Sequence, residues 1–538
     1  MRAGPFFVFT HRVPMSEPLD DPHVFIPDVL ASHARFRPRR EAVVCGDVRR
    51  SWADFDANIS RIAHALLAAG LERGDRVAVM MGNRVEMLEA VFGIVRAGGC
   101  AVPLSGLLTG PQLAGLVADS GAIGAFTTAE FRAKLDGSPA LPGCLRADLR
   151  IAVDEGASPG WRALDAFVAG MPSSVPPVTY RMEDAFNIIY SSGTTGLPKG
   201  IVQTHRARQH WAWSNALELG VRDTSRGLTT TSLYSNGTWL TMLPVLWCGG
   251  TLVAMPAFDP KRFLALVRDE RITHTFMVPS QFVAVLAEPS LDGADTSSLE
   301  SILCAGSPLR PDTKRRVIER FGPRLTELYG FSEGFATMLK PGHPPDKFET
   351  VGTPVIGFEI RILSDDGREL PRGEVGEIAG YGGGMMRGYH GRAQETAALV
   401  WRDERGRSFI RSGDVGRLDA DGYLTILDRK KDMIISGGFN VFPTALEQVV
   451  AGHPAVLDVA VIGVPHARWG ETPLALVIPR PGASASVDEL LDWANARLGK
   501  HQRLGGVELR GDFPRNALGK VLKKDLRAPY WAGTGRTI

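Results

Sequence analysis

Between Tyr190 and Gly200 the chain reads Tyr190-Ser191-Ser192-Gly193-Thr194-Thr195-Gly196-Leu197-Pro198-Lys199-Gly200, setting three glycines, four aliphatic hydroxyls and one lysine in a single loop. Glycines let backbone N–H groups come close to an anion, hydroxyls donate to its oxygens, and a lysine adds a compact positive charge. That is the chemistry of a polyphosphate cradle. It is not the GxxxxGK[ST] loop, because Gly200 stands where Ser or Thr would have to follow the lysine. A solvated Gly/Ser/Thr linker is the bland alternative. A linker does not account for the strand-like Phe186-Asn187-Ile188-Ile189 before the loop, or for the apolar Ile201-Val202 that resumes directly after it.

Further segments with chemical potential follow in order. They are Ala305-Gly306-Ser307-Pro308-Leu309, Tyr329-Gly330-Phe331-Ser332-Glu333, Arg411-Ser412-Gly413-Asp414, Asp428-Arg429-Lys430-Lys431-Asp432 and Asn516-Ala517-Leu518-Gly519-Lys520. Together with the hydroxyl-rich loop they resemble the signatures of the adenylate-forming superfamily, which holds acyl-CoA synthetases, nonribosomal-peptide adenylation domains and beetle luciferases. The resemblance runs from about Ser51 to Leu526 and is nearest to the AMP-forming acyl-CoA synthetases. The Gly306 segment is its weakest part, and Ser332 replaces a usual Thr while keeping the hydroxyl.

The resemblance implies a set of roles. Ser191, Ser192, Gly193, Thr194, Thr195, Gly196 and Lys199 would enclose the phosphates of ATP, with Thr194, Thr195 and Lys199 on the β- and γ-phosphates. Gly306 and Tyr329 would lie against adenine, and Ser332 would approach the α-phosphate. Glu333 would hold Mg²⁺, since a carboxylate beside a triphosphate is repulsive unless a hard cation lies between them. Asp414 would accept from both ribose hydroxyls, with Arg429 nearby. Lys520 would bridge the attacking carboxylate and the α-phosphate as charge develops. Lys431 would be the hinge of a C-terminal unit that rotates to bring Gly437 and Gly438 towards the thiol of coenzyme A.

The chain departs from the family pattern at the acyl side. Where members often carry Pro-x-x-His, this chain has Ser232-Leu233-Tyr234-Ser235, so Ser235 takes the histidine's place. Ala445 stands where a Glu is usual, and His466 where Asp is frequent. Tyr234, Ser235, Trp239, Met242, Gly330 and Met338 are candidate lining for an acyl pocket. Aromatic and methionine side chains serve plain core equally well. The expected activity is an ATP-dependent, AMP-forming carboxylate–CoA ligase acting on an apolar acid, whether fatty, alicyclic or aryl. The alternatives are an adenylating enzyme that loads a carrier protein in trans, a luciferase-like oxygenase and a non-catalytic nucleotide sensor. Retention of both Glu333 and Lys520 argues against the sensor.

Bulk properties agree with an ordinary globular enzyme. The 538 residues are 44% hydrophobic and 22% charged, with a net charge of +2. That balance offers no electrostatic case for nucleic acid or an anionic membrane. Five scattered cysteines without a CxxC pair suggest neither a zinc site nor a disulfide framework, and point to a reducing compartment. Pro5-Phe6-Phe7-Val8-Phe9 is too short for a signal peptide, and no stretch reaches the length of a membrane span, so the cytoplasm is the expected location. A homodimer is the oligomer this reading allows.

Positioning such residues needs layered α/β structure. Ser51 and Asp54 read as a helix start, with Ile59, Ile62, Ala63 and Leu66 on one face. Arg76–Met81 reads as a buried strand, 85–95 as a helix and 101–104 as a strand. Such βα alternation predicts parallel sheets. Glycines and prolines over 367–378 suggest short strands of a small β-rich subdomain. After residue 430 a compact unit follows, with a helix over 444–450 and strands over 458–462 and 474–478. The expected organisation is a flexible extension at 1–22, a large nucleotide- and acyl-binding domain at 23–430, and a small mobile α+β domain at 431–538.

Overall fold

The computed structural model describes residues 23–136, 143, 145–154, 159–191, 198–437, 439–515 and 521–532. The extension expected at residues 1–22 lies outside them. Alternation along single strands explains the layering. In Arg76–Met80, Val77 and Val79 enter one apolar core while Ala78 and Met80 enter another. In Glu41–Cys45, Val43 joins that first core and Val44 a third. Successive strand side chains point to opposite faces, so each of these two sheets separates two apolar layers. The shared middle core contains helix Trp52–Ala68 and helix Val85–Arg96, the latter buried everywhere except at Glu86. Inside it the fully buried Arg96 donates through its two Nη groups to Asp56, Ser60 and the Pro27 carbonyl, while its Nε has no partner.

Among the described residues the chain forms four sheets. One has a parallel run of Leu325–Gly330, Ser301–Cys304, His274–Met277, Arg226–Thr229, Thr251–Ala254 and Glu41–Cys45. A second centres on the parallel strands Cys100–Pro103, Arg76–Met80 and Gly124–Thr127. The expectation of parallel sheets therefore holds at their centres and is corrected at their edges. Ala185–Ser191 and Lys199–Thr204 pair antiparallel, as do Leu325–Gly330 and Ala336–Leu339. The reason is geometric: strands joined by a short loop can be neighbours only in opposite directions, because a parallel return needs a long crossover.

The third sheet is antiparallel throughout, built from Phe358–Leu363, Gly376–Gly382, Ser408–Leu418, Val400–Arg402 and Leu424–Arg429. Most of the stretch 367–378 is the connection between its first two strands rather than a set of strands of its own. Glycine and proline mark turns more faithfully than they mark the strands between them. The fourth sheet begins at Ile434 and carries helices Pro443–Ala451 and Val487–Asn495, whose Leu446, Val450, Leu490 and Ala494 pack on Val461, Ala475 and Val477.

Candidate active site

The two strands on either side of the hydroxyl-rich segment pair antiparallel, with Ser191 and Lys199 in register as their last pair. Residues 192–197, and with them Ser192, Gly193, Thr194, Thr195 and Gly196, lie outside the described residues, as does the side chain of Ser191. The Lys199 Nζ lies 2.6 Å from Glu395 Oε2 and 4.8 Å from the centre of the Tyr389 ring. Gly388–Tyr389 forms the next strand outward, with Tyr389 opposite Ile201. Its hydroxyl donates to Glu333 Oε1 at 2.8 Å. Burial pushes the Glu333 carboxyl up, against the Tyr389 hydrogen bond and the charges of Arg429 and Lys199.

Tyr329, Ser332 and Glu333 sit at and just beyond the end of Leu325–Gly330, while Gly306 follows the neighbouring parallel strand Ser301–Cys304. Carboxyl ends of parallel strands are where open α/β sheets place ligands. Gly306 has φ +98° and Gly330 would set a Cβ 2.9 Å from the Phe335 carbonyl, so neither position accepts a side chain without movement. Tyr329 Oη donates to Asp414 Oδ2 at 2.8 Å, and Arg429 Nε lies 3.4 Å from Asp414 Oδ1. Asp414 and Arg429 are directly opposed on adjacent strands, which is why a pair fifteen residues apart in sequence meets. The Ser332 carbonyl accepts from Gln203 Nε2 at 2.6 Å, tying this segment to the hairpin.

Of the candidate acyl residues, Ser235 is buried and Tyr234 half-buried in the turn after strand Arg226–Thr229. Trp239 and Met338 are 2% and 1% exposed and belong to the middle core, as does Met242. The indole N–H of Trp239 donates to the Leu233 carbonyl at 3.0 Å. Arg208 lies across the Trp239 ring, 4.4 Å from its centre. Its Nε donates to Asn187 Oδ1 and its Nη1 to Asn236 Oδ1, both at 2.8 Å.

Lys431 follows strand Leu424–Arg429, and its carbonyl accepts from Arg527 at 3.0 Å. Burial, with Arg429 close by, pulls its amine down to about 8. Gly437, at φ +58°, donates its N–H to the Trp469 carbonyl at 2.9 Å, in a turn flanked by exposed Ile435 and Phe439. Gly438 and residues 516–520, including Lys520, lie outside the described residues. The flanks of the latter segment, Arg515 and Val521, are bridged antiparallel, and the guanidinium groups of Arg515 and Arg310 both reach Asp458.

Tyr389, Glu395 and Arg208 went unnoticed in the sequence. Nothing local marks the first two. Nor is Arg208 marked: helix His205–Leu219 is buried on more than one face, so no one-sided apolar period shows the arginine to be out of place.

Two family models match the chain, "AMP-binding enzyme" over residues 30–390 and "AMP-binding enzyme C-terminal domain" over 445–520. A feruloyl-CoA synthase of Amycolatopsis sp is 35% identical over 92% of this chain and 97% of its own. A long-chain-fatty-acid–CoA ligase of Mycobacterium tuberculosis is 31% identical over 94% and 98%. Among solved structures, ATP-bound MatB from Rhodopseudomonas palustris superposes with a TM-score of 0.84 at 27% identity, covering 95% of this chain and 99% of that one. The o-succinylbenzoate CoA synthetase of Bacillus subtilis with its acyl-adenylate intermediate gives 0.81 at 27% identity, over 93% and 98%. A family match across two thirds of the chain, joined to relatives that align along nearly all of it, settles the affiliation: the chain belongs to the AMP-binding enzyme family.

Proposed function

We propose that the chain is an AMP-forming carboxylate–CoA ligase, acting in the cytoplasm, where ATP and coenzyme A are both at hand. The observation that carries the reading is the convergence on Glu333 of two sets of groups. Lys199 approaches from the phosphate-loop hairpin and Tyr389 from the strand beside it, and Arg429, paired with the Asp414 that accepts from Tyr329, from the nucleoside side. A triphosphate needs cationic and donor groups at one end, and a ribose needs a paired acceptor such as Asp414 at the other.

In the first half-reaction the substrate carboxylate oxygen forms a bond to the α-phosphorus, and the bond to the pyrophosphate oxygen breaks. Lys199 with Thr194 and Thr195 holds the leaving phosphates, and Lys520 offsets the charge between acid and α-phosphate. Glu333 suits a divalent cation: it is a single carboxylate that burial pushes towards the neutral form, and a cation would restore its charge. Glu333 would hold Mg²⁺, which would supply charge neutralisation for the triphosphate. In the second half-reaction the thiol sulfur of coenzyme A bonds to the acyl carbon, the carbon–oxygen bond to AMP breaks, and the thiol proton leaves. The boundary near Lys431 separates a body at 23–430 from a unit at 431–538 that turns between the two steps. Histidine bases are not needed. Burial holds His205 and His210 down at about 4 each, which keeps both neutral.

Relatives named for ferulate, indoleacetate and long-chain fatty acids support an acid with a substantial apolar part. One relative favours a second reading: a fatty acid–[acyl-carrier-protein] ligase of Streptomyces coeruleorubidus is 32% identical over 94% of the chain. A panel of carboxylic acids with ATP separates the two. Acid-dependent pyrophosphate release without coenzyme A, and AMP with thioester only when it is added, is the expected result. Transfer to a carrier-protein thiol but not to coenzyme A would favour the second reading. ADP with inorganic phosphate as products would exclude both.

A further inference from the structure

Arg208 is 1% exposed, yet among the described residues no carboxylate comes within ion-pair distance of it. Two neutral amides, Asn187 and Asn236, take its Nε and Nη1, and the Trp239 ring covers its face. Its Nη2 has no hydrogen-bond partner, and neither has the adjacent Asn187 Nδ2. A cation–π contact offsets part of the missing charge, but it leaves two buried donors open. Groups of this kind are normally satisfied, and a pair of open donors beside an uncompensated cation is complementary to an acceptor oxygen.

The placement says which oxygen. Asn236 stands in the turn beyond Arg226–Thr229, two strands from Ser301–Cys304 in the same parallel sheet, and so at the same carboxyl-end edge as Gly306. Asn187 lies on Ala185–Ser191, four residues before the phosphate-loop hairpin turns. Arg208 therefore links the strand that leads into the phosphate-loop hairpin to the turn that carries Ser235 and Asn236. We propose that Arg208 is a specificity-determining residue that selects acids carrying a second acceptor oxygen at the end remote from the reacting carboxylate. This rests on the reading of the chain as a carboxylate ligase and adds a polar terminus to the otherwise apolar substrate.

The test uses paired acids matched in length: suberate against octanoate, and 4-hydroxycinnamate against cinnamate, read as kcat/KM for pyrophosphate release. The wild type is expected to prefer the oxygen-bearing member of at least one pair by about ten- to hundredfold, the responding pair telling carboxylate from phenol. Arg208→Met removes the donors at similar volume and should bring that ratio within about threefold of unity while KM for ATP stays within about twofold. Arg208→Lys, which keeps the charge but not the fork, should fall between. A wild-type ratio near unity in both pairs overturns the proposal, as does an unchanged preference in Arg208→Met. If the Met variant does not fold, the wild-type ratios and Arg208→Lys decide. Turnover without preference sinks this inference alone, whereas no acid-dependent turnover with any substrate sinks the ligase reading beneath it.

Discussion

At Glu333, burial and hydrogen bonding pull in opposite directions. Desolvation favours the neutral acid, while the Tyr389 hydroxyl and the charges of Arg429 and Lys199 favour the carboxylate. Glu333→Gln keeps the shape and removes the charge, so the Mg²⁺ concentration for half-maximal rate should rise about ten- to hundredfold, with partial rescue at high Mg²⁺. An unchanged Mg²⁺ dependence in a folded variant would make Glu333 a turn residue with no metal role. His205 and His210 speak for stability instead. Burial holds each at about 4 against the ordinary histidine value of 6.5, so the unfolded chain binds more protons between those values. Their contribution is complete above pH 6.5 and is lost as pH falls towards 4, at about 1.4 kcal/mol per pH unit for each histidine within the window. Urea midpoints across that range should fall accordingly, and His205→Leu should flatten the slope by about half. A wild-type midpoint flat from pH 6.5 to 4.5 would contradict this.

Single elements were easier to read from sequence than their neighbours in space. The strand over Phe186–Ile189 is the centre of Ala185–Ser191, the helix over 85–95 is Val85–Arg96, and the helix over 444–450 is Pro443–Ala451. Each has its hydrophobic period written locally. The pairing of Gly388–Tyr389 with a strand nearly two hundred residues earlier is written nowhere locally, and it is this pairing that sets Tyr389 between Lys199 and Glu333. Arg208 stayed hidden for another reason. Helix His205–Leu219 is buried on more than one face, so it lacks the one-sided period that would have made a buried arginine conspicuous. Lys199, Tyr329, Glu333, Asp414 and Arg429, by contrast, stand in motifs, and the fold gathers all five. The connection after Leu424–Arg429 supports a prediction at this scale. Lys431→Pro fixes φ and removes a backbone donor, so a rotation centred there should be obstructed. Pyrophosphate release should stay within about threefold of wild type while thioester formation falls at least about tenfold. Normal thioester formation would move the hinge elsewhere, and loss of both steps would indicate a damaged C-terminal unit.

At the scale of the whole molecule, the C-terminal sheet is tied to the body by specific charges. Asp458 receives both Arg310, four residues beyond Gly306, and Arg515, just before the lysine segment. Across the same boundary the Thr444 N–H donates to Asp428 Oδ2 at 2.9 Å. This brings the flank of residues 516–520 towards the Gly306 segment, while the Gly437 turn stays among exposed Ile435, Phe439 and Trp469. Such an arrangement suits the adenylate-forming step; in the proposed mechanism the unit turns for the thiol step. The most direct test of the account is therefore Lys520→Ala, assayed separately for adenylate formation from acid and ATP, and for coenzyme A transfer from supplied acyl-adenylate. Adenylate formation should fall by about a hundred- to a thousandfold while transfer remains within about threefold of wild type. Equal losses in the two half-reactions would contradict the account.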